Sequence, residues 1–103
     1  MAKSDPIPTL VIYTPKKGKE KDLQTLVEKH WPILNGLGLV TKDAARIWKA
    51  TDKRTGGVYF VEMFSWKDGH APDVAHQTPE VMAMWEPMGL VMEDLKLATI
   101  EAL

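Results

Sequence analysis

The stretch Gly57 to Trp66 constrains this chain more than any other. In an extended chain, successive side chains alternate between two faces. Tyr59, Val61, Met63 and Ser65 then share one face, and Val58, Phe60, Glu62, Phe64 and Trp66 share the other. Both sets are largely apolar, and β-branched and aromatic residues dominate. The stretch therefore predicts a strand in the middle of a sheet covered on both sides. Glu62 breaks the pattern. A carboxylate between Phe60 and Phe64 is costly to bury alone. It predicts either an ion pair, with Arg46 or a lysine on a neighbouring strand, or a carboxyl group placed to move protons.

The rest of the chain supplies the partners of that strand. Thr9 to Thr14, bounded by Pro8 and Pro15, is a second run apolar on both faces and predicts another central strand. Lys19 to about Asn35 predicts a helix, with Leu23, Leu26, Val27, Trp31, Ile33 and Leu34 on one arc and His30 among them. Pro32 should kink or end it. Leu39 to Thr51 predicts a more charged strand, with Ala44, Arg46, Trp48 and Ala50 on one face and Ala45, Ile47 and Lys49 on the other. Such charge suits a sheet edge. Asp52 to Gly57 predicts a hairpin turn. A short helical piece from Ala71 to Gln77 follows. Thr78-Pro79-Glu80 then starts a helix to about Glu93, with Thr78 as N-cap, Pro79 in the first turn and Glu80 favouring the dipole. Leu95 to Ala102 predicts the last strand.

The order strand, helix, strand, strand, helix, strand, with the apolar strands first and third, predicts an α+β chain of ferredoxin-like βαββαβ topology. Its four-stranded antiparallel sheet carries both helices on one face. The other face of the central strands is also apolar, so a second copy of the chain is expected to cover it, giving a homodimer.

Composition narrows the function classes. At 103 residues one domain is expected, running from residue 1 to 103, with residues 1–8 as an extended N-terminal segment. Thirteen basic against fourteen acidic residues give a net charge of −1, which argues against a nucleic-acid partner. The chain has no cysteine, so disulfides, thiolate ligands and cysteine nucleophiles are excluded. No apolar run of signal-peptide or membrane-spanning length occurs, and the expectation is a cytoplasmic protein without a membrane partner.

Several residues could carry chemistry. His76, between strand and helix, could act as a general base near neutral pH, or brace the loop before Thr78 beside Asp73. Glu62 could move protons from an aromatic setting, or sit in a satisfied ion pair. Trp31, Trp48, Trp66 and Trp85 could line a flat aromatic pocket, or fill the core and a dimer interface. Met82, Met84, Met88 and Met92 could give that pocket adaptable walls, or be plain core. His30 reads as a core or pocket-edge histidine. His30, His70 and His76 lack metal-ligand spacing, so no metal is expected.

Three segments carry a family resemblance: Pro15 to Gly18 with the helix after it, Val61-Glu62-Met63-Phe64-Ser65-Trp66-Lys67-Asp68, and Ala75-His76-Gln77-Thr78-Pro79-Glu80-Val81. With them the chain resembles the dimeric α+β barrel proteins, most closely the antibiotic-biosynthesis-monooxygenase-like group, over nearly its whole length. The resemblance implies a homodimer whose sheets meet face to face, and a pocket between sheet and helices. It also implies cofactor-independent monooxygenation of a small aromatic or polyketide-type substrate, with no cofactor bound. His76 and Glu62 would be catalytic, and Trp66, Trp85, Trp48 and His30 would bind substrate. Haem-degrading members use an asparagine, a tryptophan and a histidine. Here the only asparagine, Asn35, follows the first helix and does not match that motif. The alternative is a non-catalytic homodimer of the same fold that binds a small hydrophobic ligand.

Overall fold

The computed structural model describes residues 5–103. It is a four-stranded antiparallel sheet with helices on one face. The strands are β1 (Ile7–Pro15), β2 (Arg46–Thr51), β3 (Val58–Trp66) and β4 (Met92–Thr99), in the spatial order β2-β3-β1-β4. The helices are α1 (Glu20–Gly36), α2 (Ala71–His76) and α3 (Pro79–Val91). The ferredoxin-like order predicted from the alternation of the two apolar strands is the order found, with β1 and β3 in the centre.

Register decides which side chains meet. Along β1, Thr9, Val11 and Tyr13 are buried while Leu10, Ile12 and Thr14 are half-buried. Along β3, Phe60, Glu62 and Phe64 are the buried set. Val11 lies opposite Glu62, and Tyr13 opposite Phe60, so these buried sets line one face. That face meets α1, whose buried residues Leu23, Val27, His30 and Leu34 form a stripe at helical spacing. From α3, Val81, Met84 and Met88 close the same core. Fully burying a side chain such as Phe60 or Leu34 stabilises the fold by roughly 1.5–3 kcal/mol each.

Several boundaries differ from the sequence reading, each for a local reason. The extended N-terminal segment gives way to β1 already at Ile7, and residues 1–4 of it lie outside the described residues. Pro8 is therefore inside the strand, and its carbonyl accepts from Ile100 N–H at 2.9 Å. The predicted strand Leu39 to Thr51 is shorter and interrupted. Val40 makes an isolated bridge to Trp66, and Thr41 N–H donates to the Ser65 carbonyl at 3.0 Å. The charged and exposed Lys42 and Asp43 then leave the edge, and regular pairing resumes only at Arg46. α1 continues through Pro32 to Gly36, with Pro32 on its solvent side and Leu34 still anchored in the core.

At the end of α3, Lys16 N–H captures the Val91 carbonyl at 2.8 Å, and Met92 is extended at φ −98°, ψ 135°. The helix thus stops at Val91 rather than Glu93, and β4 begins at once. Thr78 is the N-cap residue of α3, with Pro79 behind it. Its hydroxyl does not cap, however; it donates backward to the Val74 carbonyl at 2.6 Å, tying α3 to α2.

Candidate functional site

A chain of hydrogen bonds crosses the core from β1 to α3. The Tyr13 hydroxyl donates to Glu62 Oε1 at 2.6 Å. His30 Nδ1 lies 2.9 Å from Oε1 and 3.2 Å from Oε2 of the same carboxyl group. On the far side of the imidazole, Trp85 Nε1 donates to His30 Nε2 at 3.0 Å. An indole N–H can only donate, so Nε2 must accept and carries no proton. The one ring proton of this arrangement is therefore on Nδ1, aimed at Glu62. Two donors converge on a side chain that is fully buried, an arrangement that matches the acceptor-only carboxylate form. This is how a carboxylate persists between two phenylalanines: the desolvation cost is met by charge-assisted hydrogen bonds.

The same group acts on its neighbours. Burial, the Glu62 charge and the hydrogen bond to it together push the Tyr13 phenol far above its ordinary range, so it holds its proton. Arg46 is not the partner of Glu62. It stands opposite Met63, on the open face of the sheet, with its guanidinium 5.2 Å from the centre of the Trp48 ring. β2 presents Ile47, not Trp48 or Arg46, to the side of Glu62.

Beside this chain of bonds lies a cavity of about 480 Å³. Its floor is Thr9, Val11 and Tyr13 of β1, Phe64 and Trp66 of β3, and Leu95, Leu97 and Thr99 of β4. His30, Pro72, His76, Trp85, Met88 and Met92 form its walls. Phe64 packs edge-on against Trp66 at 5.2 Å and against His30 at 5.7 Å between ring centres. His76, exposed at the end of α2, packs against the Trp85 ring at 4.9 Å.

Of the residues singled out in the sequence, His30, His76, Trp66 and Trp85 come together at this cavity. Glu62 stands one layer behind, touching it only through Tyr13 and His30. Trp48 is on the opposite side of the sheet and is 41% exposed, so it is not a wall of this cavity. Of the methionines, Met88 and Met92 line the cavity, Met84 is core and Met82 is exposed. Tyr13 was not foreseen. A signal existed: a buried acid on one central strand calls for a donor on the other, and Tyr13 shares the inward parity of Val11 one diagonal step from Glu62. Among the described residues, no group of three His, Cys, Asp or Glu side chains is placed to hold a metal ion. No helix among them is long and apolar enough to cross a membrane.

No protein-family model and no curated protein matches the chain. Solved structures do. SnoaB, a cofactor-independent oxygenase from Streptomyces nogalater, superposes with a TM-score of 0.66 at 13% identity, over 96% of this chain and 96% of its own. An antibiotic biosynthesis monooxygenase gives a TM-score of 0.70 at 15% identity, over 94% of this chain and 98% of its own. The protein At3g17210 from Arabidopsis thaliana gives 0.71 at 10% identity, over 94% and 95%. The chain has the α+β fold shared by the antibiotic-biosynthesis-monooxygenase-like proteins of the dimeric α+β barrel superfamily.

Proposed function

We propose that the protein oxidises a small aromatic or polyketide-type substrate with dioxygen, without a bound cofactor, in the cavity between β1, β4 and α3. The observation that carries this reading is an apolar, aromatic-walled cavity with one buried polar chain, Tyr13–Glu62–His30–Trp85, set into its wall. A flat ring fits among Phe64, Trp66 and Trp85. Loss of a proton from the ring system, to His76 at the mouth or to the His30–Glu62 pair in the wall, leaves an electron-rich anion. That anion supplies the electrons dioxygen needs. For a ring-activated methylene group the balance is CH₂ plus O₂ giving C=O plus H₂O, so one oxygen atom is kept and the other leaves as water. Glu62 does not touch the cavity and would act as a positioning residue, holding His30 in one tautomer. The fold shared with a cofactor-independent oxygenase supports the reaction type.

One observation favours a second reading. Both ring nitrogens of His30 already have partners, which suits a non-catalytic protein that only binds a hydrophobic ligand. Oxygen uptake against a panel of phenols and quinols, with mass spectrometry of the products, separates the two. The enzyme reading expects turnover that Glu62→Gln slows by about 10²-fold, the low end of what a positioned proton acceptor contributes. Ligand affinity without oxygen uptake would leave the binding reading.

A further inference from the structure

We propose that Trp85 is a redox site: a one-electron donor that quenches organic peroxyl radicals in the cavity, with its N–H proton passing to His30 Nε2. The inference goes beyond the oxidation proposed above and rests on it only for the source of such radicals.

Removing an electron from an indole turns its N–H into a strong acid. The resulting hole is held most easily where that proton has a base to go to. The tryptophans of this chain differ in this respect. Trp85 Nε1 donates to His30 Nε2 at 3.0 Å, the ring nitrogen that carries the lone pair. Trp31 Nε1 is buried with no hydrogen-bond partner among the described residues. Trp66 meets Phe64 edge-on, a neighbour that cannot take a proton. The Trp48 ring lies under the Arg46 guanidinium, 5.2 Å from its centre. That contact draws on the electron density of the ring, so a hole on Trp48 would set one positive charge against another.

The far side of His30 strengthens it as a base. Glu62 is fully buried and stands 2.9 Å from Nδ1, so an imidazolium formed by protonation at Nε2 already faces a carboxylate. Among the described residues that line the cavity there is no lysine or arginine to oppose a hole on Trp85. Tyr13, the other oxidisable ring on this chain of bonds, is 3% exposed, whereas Trp85 is half-buried and forms its more open end. The step balances as the transfer of one hydrogen atom. Trp85 gives one electron to the peroxyl radical, which becomes a peroxide anion; the indole N–H bond breaks and an Nε2–H bond forms. The peroxide anion takes a proton from water, and His30 returns its own to the resulting hydroxide. A hydroperoxide and a neutral indolyl radical remain.

The test exposes the full chain, with no aromatic substrate added, to alkylperoxyl radicals from a water-soluble azo initiator in air-saturated buffer. Peptide mapping by mass spectrometry locates oxidised tryptophan, and electron paramagnetic resonance of freeze-quenched samples identifies the radical. Exposure alone would put Trp48 first, at 41%. The redox site puts Trp85 first, with a neutral indolyl signal that Trp85→Phe removes. Glu62→Gln keeps the size of the side chain and removes the charge that faces the imidazolium. An opposite charge this close strengthens a base about tenfold or more, so oxidation at Trp85 relative to Trp48 should fall by about that factor. Oxidation led by Trp48, a share at Trp85 that Glu62→Gln leaves unchanged, or a phenoxyl radical in place of the indolyl one would overturn the inference. If Glu62→Gln does not fold, the order of Trp85 and Trp48 in the wild type decides it. Because no substrate is present, either result leaves the proposed oxidation to be judged separately, by oxygen uptake on phenols and quinols.

Discussion

Tyr13 concentrates the energetics of the site in one side chain. Its ring is core, 3% exposed, and its hydroxyl is one of two donors that make a buried Glu62 tolerable. Tyr13→Phe keeps the ring and removes the donor. Hydrogen bonds to charged groups are worth about 1.5–3 kcal/mol, so the variant should lose stability of that order in urea unfolding at pH 7. The pH dependence gives a second, independent readout. Burial first, then the Glu62 charge and hydrogen bond, raise the Tyr13 phenol above its ordinary value near 10. A raised value means the folded chain keeps a proton that the unfolded chain releases. The contribution is therefore fully present below pH ~10 and is lost as pH rises above it. The stability gap between wild type and Tyr13→Phe should narrow on the alkaline side, and the tyrosinate absorbance of Tyr13 should appear only with unfolding. A gap that stays constant from pH 7 to beyond about 10 would show that no raised phenol is coupled to folding.

At the scale of elements, the β2–β3 hairpin fixes the register that puts Ile47, and not Trp48, opposite Glu62. Its turn is held by Asp52, whose Oδ1 accepts from Arg54 N–H at 2.7 Å and Thr55 N–H at 3.0 Å. Gly56 takes φ +75°, which a side chain would disfavour. The Thr55 and Arg54 N–H groups hold the Asp52 carboxyl below its usual range. A lowered value means the contribution is present above the unfolded carboxyl value, near 4, and is lost as pH falls through the folded one. Asp52→Asn should therefore be less stable than wild type at neutral pH, with the difference shrinking in thermal unfolding as the pH drops below about 4. A difference that persists unchanged in acid would remove the charge from the argument. This hairpin also explains what the sequence could and could not disclose. Alternation along each strand was legible, so Glu62, Phe64 and Trp66 were placed on one face of β3, and Arg46 with Trp48 on one face of β2. The parity of β2 against β3 was not, because a one-residue slip exchanges every face. Trp48 was accordingly grouped with pocket residues it never meets. His30 and Glu62 stand 32 positions apart and meet only because α1 packs over β3. Their separate oddities, an imidazole in an apolar stripe and an acid in an apolar strand, were visible; that each answers the other was not.

For the whole molecule, the uncovered side of the sheet is the remaining question of packing. Leu10 and Ile12 of β1 and Val61 and Met63 of β3 turn to that side and are only half-buried, with Trp48 and Arg46 at its β2 margin. Two adjacent central strands that are apolar on both faces leave a contiguous apolar surface, and such surfaces on small domains mark association sites. A second copy of the chain presents the same surface, and a two-fold axis brings the two together without creating a further open edge. A stable pairing of this kind buries about 800 Å² per partner, within reach of a four-stranded face. We therefore expect light scattering at micromolar concentration to give about twice the 11.6 kDa chain mass. Val61 lies near the middle of the face, between Ile12 and Trp48 in the ladder. Val61→Glu would place a charge there that solvent accommodates in one chain but that two facing chains would have to bury in apposition. The variant should remain folded, because its side chain leaves the helix-side core untouched, and should scatter as a single chain. A wild type of one-chain mass at this concentration, or a Val61→Glu variant still of two-chain mass, would refute the face-to-face pairing.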